Sequence, residues 1–338
     1  MTPPQPSSRS RLWQATLGIV ISVALLYWSL KGVDFAKVIA NVRAARPLPI
    51  LLGVFLATLT FPVRLVRWRL LLRADDGQAF GWTPLWHALA MGFMANNVLP
   101  LRAGEVVRTF SASRLTRAPF TAALSSVAVE RVFDGLTLGL LLTLALLLPG
   151  LPQGAGAGSV ASKAKIFGVL GVLALLAGMF VVVWPKVAEA AVRRLVPSRT
   201  LADRLVSVIE GLRQGLLVLQ SPTRLAGVVF WSAGVWLVNA LSFYVFFAAF
   251  GIPVNFAGAL LLQSILAFGV AVPSTPGYVG VFEAAAFAAL SLYGVPKDDI
   301  ISYALTYHIT TFIPITLLGL WSVARTNLGL RQMSQTAA

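Results

Sequence analysis

The 338-residue sequence contains no cysteine and only two histidines, His87 and His308. The lack of cysteine excludes disulfides, thiol catalysis and cysteine-bound zinc, and two histidines alone cannot build a histidine metal cluster. Charged residues are also scarce, at 12% of the chain, whereas soluble domains carry about 25%. We therefore expect a membrane protein that uses no metal and no cofactor.

Acidic residues are less frequent than basic residues. The chain has 12 aspartates and glutamates against 27 lysines and arginines, a formal net charge of +15. In a soluble protein such an excess would indicate nucleic acid, but this chain is 57% hydrophobic. The positive-inside rule and attraction to anionic headgroups explain the charge more simply. We expect membrane lipids with anionic headgroups as partners, and no nucleic acid.

Long apolar runs predict helices that cross a membrane. Runs such as 136–148 and 167–184 are continuous, whereas the strands of a membrane barrel would alternate over roughly 10 residues. We predict an all-α polytopic membrane protein with about six full transmembrane helices and two re-entrant hairpins of broken helices. The expected spans are 12–30, 48–72, 120–148, 165–184, 225–250 and 298–325, and the expected hairpins are about 84–114 and 253–293.

The segments outside these spans are mostly basic. We expect a disordered basic leader at 1–11, a short amphipathic helix at 32–46, an amphipathic helix on the cytoplasmic leaflet at about 186–220, and a tail at 326–338. The distribution of arginines predicts that both termini are cytoplasmic. The basic segment 32–46 disagrees with this orientation, because the prediction places it outside.

The two halves of the chain share a pattern. Pro100-x-x-x-Gly104 is repeated as Pro273-x-x-x-Gly277, and each half reads as two spans, a hairpin and one further span. Because three crossings are odd, the second copy would be inverted in the membrane. We predict two inverted pseudo-repeats, 12–148 and 149–325, an architecture typical of transporters that bind substrate near the midplane. Chance alignment of small residues in apolar helices is the alternative.

Residues 96–108 carry two amides, a proline, a glycine and three charges between apolar segments. A charge at the bilayer centre costs about 2.5–3.5 kcal/mol, so this stretch must lie inside protein or beside a wet cavity. We predict the tip of hairpin 1 here. The half-helix after the proline would present free N–H groups to an anion. The candidate binding residues are Asn97, Pro100, Arg102, Gly104, Glu105 and Arg108.

Charged residues on two of the spans extend this candidate site. Arg64 and Arg67 are three residues apart, and Glu130 and Asp134 are four apart, so each pair shares a helix face. The arginines either face an anion, for which guanidinium groups suit phosphate, or snorkel from an ordinary helix end. With Arg131, the two acids either complete the site or form a structural ion-pair network with hairpin 1.

The predicted tip of hairpin 2 is rich in proline and glycine, and Glu283 is the only acid near it. We expect a non-helical turn, in which Glu283 is either protonated and structural or ionised and paired with an arginine of hairpin 1, Arg102 or Arg108. His308 on the last span is more often a packed, hydrogen-bonded residue than a proton relay at such a position. The candidate residues of this tip are Pro273, Ser274, Pro276, Gly277, Gly280 and Glu283.

Four ordered motifs carry a resemblance to a known family. They are Arg67-Trp68 with Leu71-Leu72, Asn97-x-Leu99-Pro100-x-Arg102-x-Gly104-Glu105-x-x-Arg108, Glu130-Arg131-x-x-Asp134, and Pro273-Ser274-x-Pro276-Gly277-x-x-Gly280-x-x-Glu283. Over roughly residues 12–325 the chain resembles the lysylphosphatidylglycerol synthase transmembrane, or flippase-like, family. The resemblance implies a domain that moves lipids between leaflets, and a homodimer is possible. We expect a standalone member without the soluble aminoacyl-transferase domain.

The leading hypothesis is a lipid flippase or transporter in a bacterial inner membrane. It would move an anionic, aminoacylated or glycosylated lipid by alternating access. The sequence contains no Walker A pattern and no catalytic motif, so we expect neither direct ATP use nor enzyme activity. Glu105, Glu130, Asp134 and Glu283 are candidate proton carriers. The alternatives are a non-transporting accessory subunit of a lipid-synthesis enzyme and an intramembrane lipid transferase.

Overall fold

The computed structural model of the chain consists of helices joined by short turns. Within the residues that it describes, β structure is limited to one isolated bridge between Arg73 and Ala79. The prediction of an all-α membrane protein is confirmed. The described residues are 8–74, 76–99, 103–147, 184–196, 198–199, 201–203, 206, 221–271, 275–326 and 328.

The described helices follow the predicted spans closely. The α-helices are α1 Ser8–Leu30, α2 Phe35–Ala44, α3 Pro47–Leu71, α4 Trp82–Val98, α5 Gly104–Thr116, α6 Phe120–Leu147, α7 Pro185–Leu195, α8 Pro222–Phe247, α9 Phe256–Ala271, α10 Val281–Leu290 and α11 Lys297–Thr326. Short 3-10 turns lie at Ala248–Phe250, Pro276–Tyr278 and Ser291–Tyr293. Almost all of the predicted span 165–184, and much of the predicted amphipathic helix 186–220, lie outside the described residues.

Three helices in the described part of the chain are long and apolar enough to cross a membrane: α3, α8 with its 3-10 extension to Phe250, and α11. Residues 19–30 of α1 and α2 meet at a bend of 82° and count as a fourth span only if the bent pair is one span. These helices expose large apolar side chains such as Leu48, Phe55 and Leu317, as lipid-facing helices do. The count of six full spans stays a prediction.

Helices α3 and α8 pack against each other. Their close approach depends on a small residue, because a Cβ on Gly53 would lie 2.6 Å from the ring of Phe246. The hydroxyl of Ser242 on α8 donates to the Gly53 carbonyl at 2.7 Å. The same hydroxyl lies 3.0 Å from that of Tyr307, whose ring stacks on Phe243, so α11 joins this pair.

The two helical hairpins exchange partners between the halves of the chain. The arms α4 and α5 pack on each other, and α4 also packs on α11, the last helix of the second half. The arms α9 and α10 likewise pack on each other, and α9 packs on α6, the last described helix of the first half. An inverted pseudo-repeat would produce this exchange, so the contacts support the repeat, which stays a prediction.

Candidate functional site

A buried cluster of charged side chains lies between α3, α5 and α6, and Glu130 is at its centre. Both carboxylate oxygens of this fully buried residue accept hydrogen bonds from the guanidinium of Arg108, each at 2.8 Å. Arg67 lies 3.0 Å from one of these oxygens, and Arg131 donates to the same one at 2.8 Å. Three arginines from three helices therefore converge on one carboxylate.

Asp134 extends this cluster to α8. One of its oxygens accepts from Arg67 at 2.6 Å and from the indole N–H of Trp236 at 2.9 Å. Arg67 also donates to the hydroxyl of Ser232 at 3.1 Å. Our sequence reasoning did not include these two α8 residues. Their spacing of four, which places a hydroxyl and an indole on one helix face, is the only signal that could have found them.

The structural ion-pair network is thus present. Arg67, Glu130, Arg108 and Asp134 are all buried, and burying an ion costs several kcal/mol unless it is paired and hydrogen-bonded. The bidentate geometry of Arg108 on Glu130 meets that need, and the same guanidinium lies 3.8 Å from the ring centre of Trp68. The charge of Arg108 is therefore neutralised within the protein.

Arg64 is buried in the same region but differs in its contacts. It is 8% exposed, and its guanidinium lies 5.3 Å from the ring centres of both Phe93 and Trp236. In the described part of the chain no carboxylate forms an ion pair with it. The snorkelling alternative is wrong for Arg64 and Arg67, since both side chains are enclosed by protein.

The cluster as a whole carries more positive than negative charge. At its edge Arg131 lies 3.8 Å from Glu105, and both side chains keep nearly 40% exposure. With this pair included, four arginines face three carboxylates in the described residues, so one positive charge is uncompensated. From here on, the Glu130 cluster means Arg64, Arg67, Glu105, Arg108, Glu130, Arg131 and Asp134.

The described part of hairpin 1 lies next to this cluster, while Pro100 and Arg102 lie outside the described residues. The N–H of Gly104, at the start of α5, donates to the side chain of Asn96 at 2.9 Å. Asn97 donates to Thr316 of α11 at 3.0 Å. The first turn of α5 thus already has one internal acceptor, and Glu105 adds a negative charge to that turn.

The tip of hairpin 2 is a non-helical turn, of which Pro273 and Ser274 lie outside the described residues. Gly277 and Gly280 have φ angles of +68° and +87°, a region that glycine occupies without strain. A Cβ on Gly280 would collide with the carbonyl of Ser22 on α1. The carbonyl of Asn97 would lie 3.5 Å from a Cβ on Gly277, so the two tips come close to each other.

Glu283 does not pair with Arg108, so that half of our expectation is wrong. One oxygen of Glu283 accepts the N–H of Gly280 at 2.7 Å, and the other lies 2.8 Å from Nδ1 of His308. Arg108 is already bound to Glu130. The partner of Glu283 is therefore a residue on the next helix of the same half.

Comparison with known proteins assigns the chain to a family. Residues 15–319 match the family described as lysylphosphatidylglycerol synthase TM region. The chain belongs to this family. The resemblance that we inferred from the four motifs is therefore confirmed.

Three relatives of this family member have curated names. A UPF0104 membrane protein of Methanothermobacter thermautotrophicus is 25% identical over 326 residues, which is 92% of each chain. A second UPF0104 membrane protein of that organism is 24% identical over 302 residues, 85% of this chain and 86% of the relative. Glycosyltransferase AglD of Haloferax volcanii is 26% identical over 298 residues, 79% of this chain but only 47% of that protein.

The four motifs of this family member lie at two places in the structure. Arg67, Arg108 and the acids of α6 meet in the Glu130 cluster, whereas Gly277, Gly280 and Glu283 meet at His308. Their role in binding a substrate stays a prediction. An apolar groove of about 590 Å³ contains none of them, because it lies between the start of α3 and the end of α8. Among the described residues no group of three possible metal ligands is close enough to hold an ion.

Proposed function

We propose that this chain is a lipid flippase or transporter that moves an anionic lipid between the leaflets of a membrane. The observation that carries the proposal is Arg64, a buried guanidinium without a carboxylate partner in the described residues. It lies in a membrane domain of a family that is named for lipid synthesis. The missing negative charge would come from the headgroup.

The surroundings of Arg64 suit a ligand better than a permanent partner. Two aromatic rings, each 5.3 Å away, stabilise this guanidinium by about 0.5–2 kcal/mol, but they leave its charge uncompensated. Guanidinium groups bind phosphate through paired hydrogen bonds. Charged groups inside membrane segments usually mark substrate pathways. We therefore propose that Arg64 binds the phosphate of a headgroup, while the acyl chains stay in the bilayer.

The two hairpins would form the path along which the headgroup crosses the membrane. Irregular backbone at membrane depth occurs where it is enclosed by protein or lines a cavity, and paired broken helices are a transporter feature. The close approach of Asn97 and Gly277 supports tips that meet near one site. We propose alternating access by movement of the two pseudo-repeats against each other. The headgroup class extends to aminoacylated and glycosylated lipids that carry a phosphate.

Location and assembly belong to the same proposal. A multi-pass membrane protein with basic ends fits a cytoplasmic membrane with both termini inside. The named relatives are archaeal, so they do not support the bacterial inner membrane that we expected. A homodimer and a lipid-synthesis enzyme are the proposed protein partners.

Replacing Arg64 by methionine tests the proposal. In liposomes that contain the purified protein and one labelled anionic phospholipid, we expect Arg64→Met to slow transbilayer movement by about 10–100-fold. This is the loss of one charge-assisted hydrogen bond of about 1.5–3 kcal/mol. Arg69→Met is the matched control, since Arg69 lies on the same helix but stacks on Trp82 and donates to the carbonyl of Phe80.

A stability measurement separates this role from a structural one. Arg64→Met removes an unpaired buried charge, so the free energy of unfolding should stay level or rise. A variant that moves the anionic lipid as fast as the wild type would refute the site. A variant that loses movement only because it unfolds would favour the structural interpretation.

One comparison favours a second candidate function, a non-transporting accessory role in lipid synthesis. The chain aligns with less than half of a protein named glycosyltransferase, so a domain of this kind occurs there beside other sequence. In that case the basic face of α7 would be a docking surface. Charge reversal at Arg193 and Arg194 would then abolish output of the pathway, while Arg64→Met would have no effect.

A further inference from the structure

Glu283 and His308 form a chain of hydrogen bonds that attaches the tip of hairpin 2 to α11. Nδ1 of His308 lies 2.8 Å from one carboxyl oxygen of Glu283, and Nε2 lies 2.7 Å from the carbonyl oxygen of Gly277. The second oxygen of Glu283 accepts the N–H of Gly280 at 2.7 Å. These two side chains therefore hold both glycines of the turn.

The contacts determine how many protons the pair carries. A carbonyl oxygen has no hydrogen to donate, so Nε2 of His308 must carry one and donate it to Gly277. The contact of Nδ1 with Glu283 then needs a second proton, either on the imidazole or on the carboxyl group. Both placements leave the pair without net charge, which suits a site enclosed by protein.

Loss of one proton breaks an attachment. If the remaining proton stays on Nε2, the lone pair of Nδ1 faces a carboxylate oxygen across 2.8 Å. If it moves to Nδ1, the lone pair of Nε2 faces the Gly277 carbonyl across 2.7 Å. Either way two acceptors face each other, and Glu283 is 1% exposed, so water cannot readily take the place of the missing donor.

We propose that Glu283 and His308 form a proton-binding site whose occupancy controls the attachment of the hairpin 2 tip to α11. The tip is attached when the proton is bound and is released when the proton leaves. The site follows from the geometry alone. Its use rests on the proposed function: if the chain moves lipid, this proton is the ion that couples the movement.

The surroundings of the pair contain no competing charge within the described residues. Charged residues of α11 other than His308 lie towards its two ends, and neither α9 nor residues 12–30 of α1 contain any. The nearest titratable groups are two tyrosines, Tyr278 in the tip and Tyr307, whose hydroxyl is bonded to Ser242. The other facing groups are the rings of Phe282 and Phe312, Ser22 of α1 and the carbonyl of Asn97 on α4.

The two halves of the chain attach their hairpins through different basic residues. In the first half Glu105, at the start of α5, lies 3.8 Å from Arg131 on α6. Glu283 and His308 follow these residues by 178 and 177 positions, and they also join the second arm of a hairpin to the next helix. An arginine keeps its proton at any physiological pH, whereas a histidine does not. The second attachment therefore has a histidine at the position where the first has a permanently charged arginine.

The absence of cysteine makes this inference directly testable. Val279→Cys places one thiol in the tip, at a side chain that is 45% exposed, and a nitroxide label there reports the mobility of the tip by EPR. We measure the labelled 338-residue protein in liposomes from about pH 5 to pH 8, the range in which an unperturbed imidazole changes charge. We expect an immobile label at low pH and a growing mobile fraction as the pH rises.

Variants of the pair give opposite results. In Glu283→Gln the amide oxygen accepts from Gly280 and the amide N–H donates to Nδ1 of His308, so the tip should stay attached up to the highest pH. In His308→Ala the label should be mobile throughout, and either variant suffices if the other fails to fold. His87→Gln, which removes the only other histidine of the chain, should keep the wild-type response.

Two results would overturn the proton site: a wild-type label whose mobility does not change with pH, or a change that survives in Glu283→Gln. The coupling is read separately, from movement of a labelled anionic phospholipid under an imposed pH gradient. If lipid movement depends on the gradient in the wild type but not in Glu283→Gln, the coupling is supported. If lipid movement in Glu283→Gln still depends on the gradient, the coupling is overturned. If the label responds but the wild type moves no lipid, the proposed function fails while the proton site stands.

Discussion

Glu130→Gln is the most informative single change to the Glu130 cluster. It keeps the size and shape of the side chain but removes the charge on which three arginines converge. Arg67 would keep Asp134 as a partner. Arg108 would lose its only carboxylate among the described residues and keep the ring of Trp68.

The expected magnitude follows from burial. Removing one partner of a buried ion pair costs about 3–5 kcal/mol, because the other charge is left uncompensated. Glu130 and Arg67 are fully buried, and Arg108 is nearly so. We expect Glu130→Gln to lower the free energy of unfolding by about 3–5 kcal/mol, which is a factor of roughly 100 or more in the ratio of folded to unfolded protein.

The assay is reversible unfolding of the purified protein in mixed detergent micelles, followed by circular dichroism. Glu105→Gln provides a matched control, since it is the same chemical change in the same cluster. Its carboxylate lies 3.8 Å from Arg131 in a pair that keeps nearly 40% exposure. Pairs of that kind contribute about 0–1 kcal/mol, so we expect a loss of at most 1 kcal/mol.

Equal losses from the two variants would refute the reasoning, because the difference between them rests only on burial and geometry. A double variant, Glu130→Gln with Arg108→Met, adds an internal check. It removes both charges of the bidentate pair, so the loss should be smaller than the sum of the two single losses. Additive losses would mean that Arg108 and Glu130 are not coupled.

Two pairs of glycines give further predictions about stability. Gly104→Ala should destabilise the protein by about 1–3 kcal/mol, because its Cβ collides with the carbonyl of Gly92, whereas Gly135→Ala, which meets nothing within 4 Å, should be neutral or stabilising. Gly280→Ala should cost about 1–3 kcal/mol more than Gly251→Ala. Both have positive φ, but only the first meets a neighbour, the backbone of α1. The same unfolding assay checks both pairs, and no difference within a pair would contradict the packing.

The helices were predictable because their signals are local. The predicted spans 48–72, 120–148 and 298–325 differ by one residue at most at each end from α3, α6 and α11. Apolar length, prolines at helix starts and polar turns determine these ends, and each of them is read within a few residues. The shared face of Glu130 and Asp134 was also predictable, since it follows from a spacing of four.

The partners of the charges were not predictable. Four arginines and three acids allow many complementary pairings, so charge alone does not choose among them. The choice depends on how α6 packs against α3 and α8, which lie far away in sequence. The expected pairing of Glu283 with Arg108 is absent, because the helix that follows places His308 within reach of Glu283 and Glu130 already binds Arg108. Trp236 and Ser232 carry no charge, and their spacing of four is the only sign in the sequence that they share a helix face.

The Glu130 cluster and the Glu283–His308 pair differ in how they respond to pH. This difference gives them separate roles in the proposed transport cycle. The Glu130 cluster is held by arginines, whose charge does not change with pH, so hairpin 1 stays attached to α6, and Arg64 has no carboxylate partner among the described residues. The tip of hairpin 2 is held by a histidine, and in our proposal it is released when the proton leaves. A cycle in which Arg64 on α3 binds the headgroup and the tip of hairpin 2 responds to protons needs this asymmetry. If His308 were an arginine, as Arg131 is, a change of pH would free neither tip.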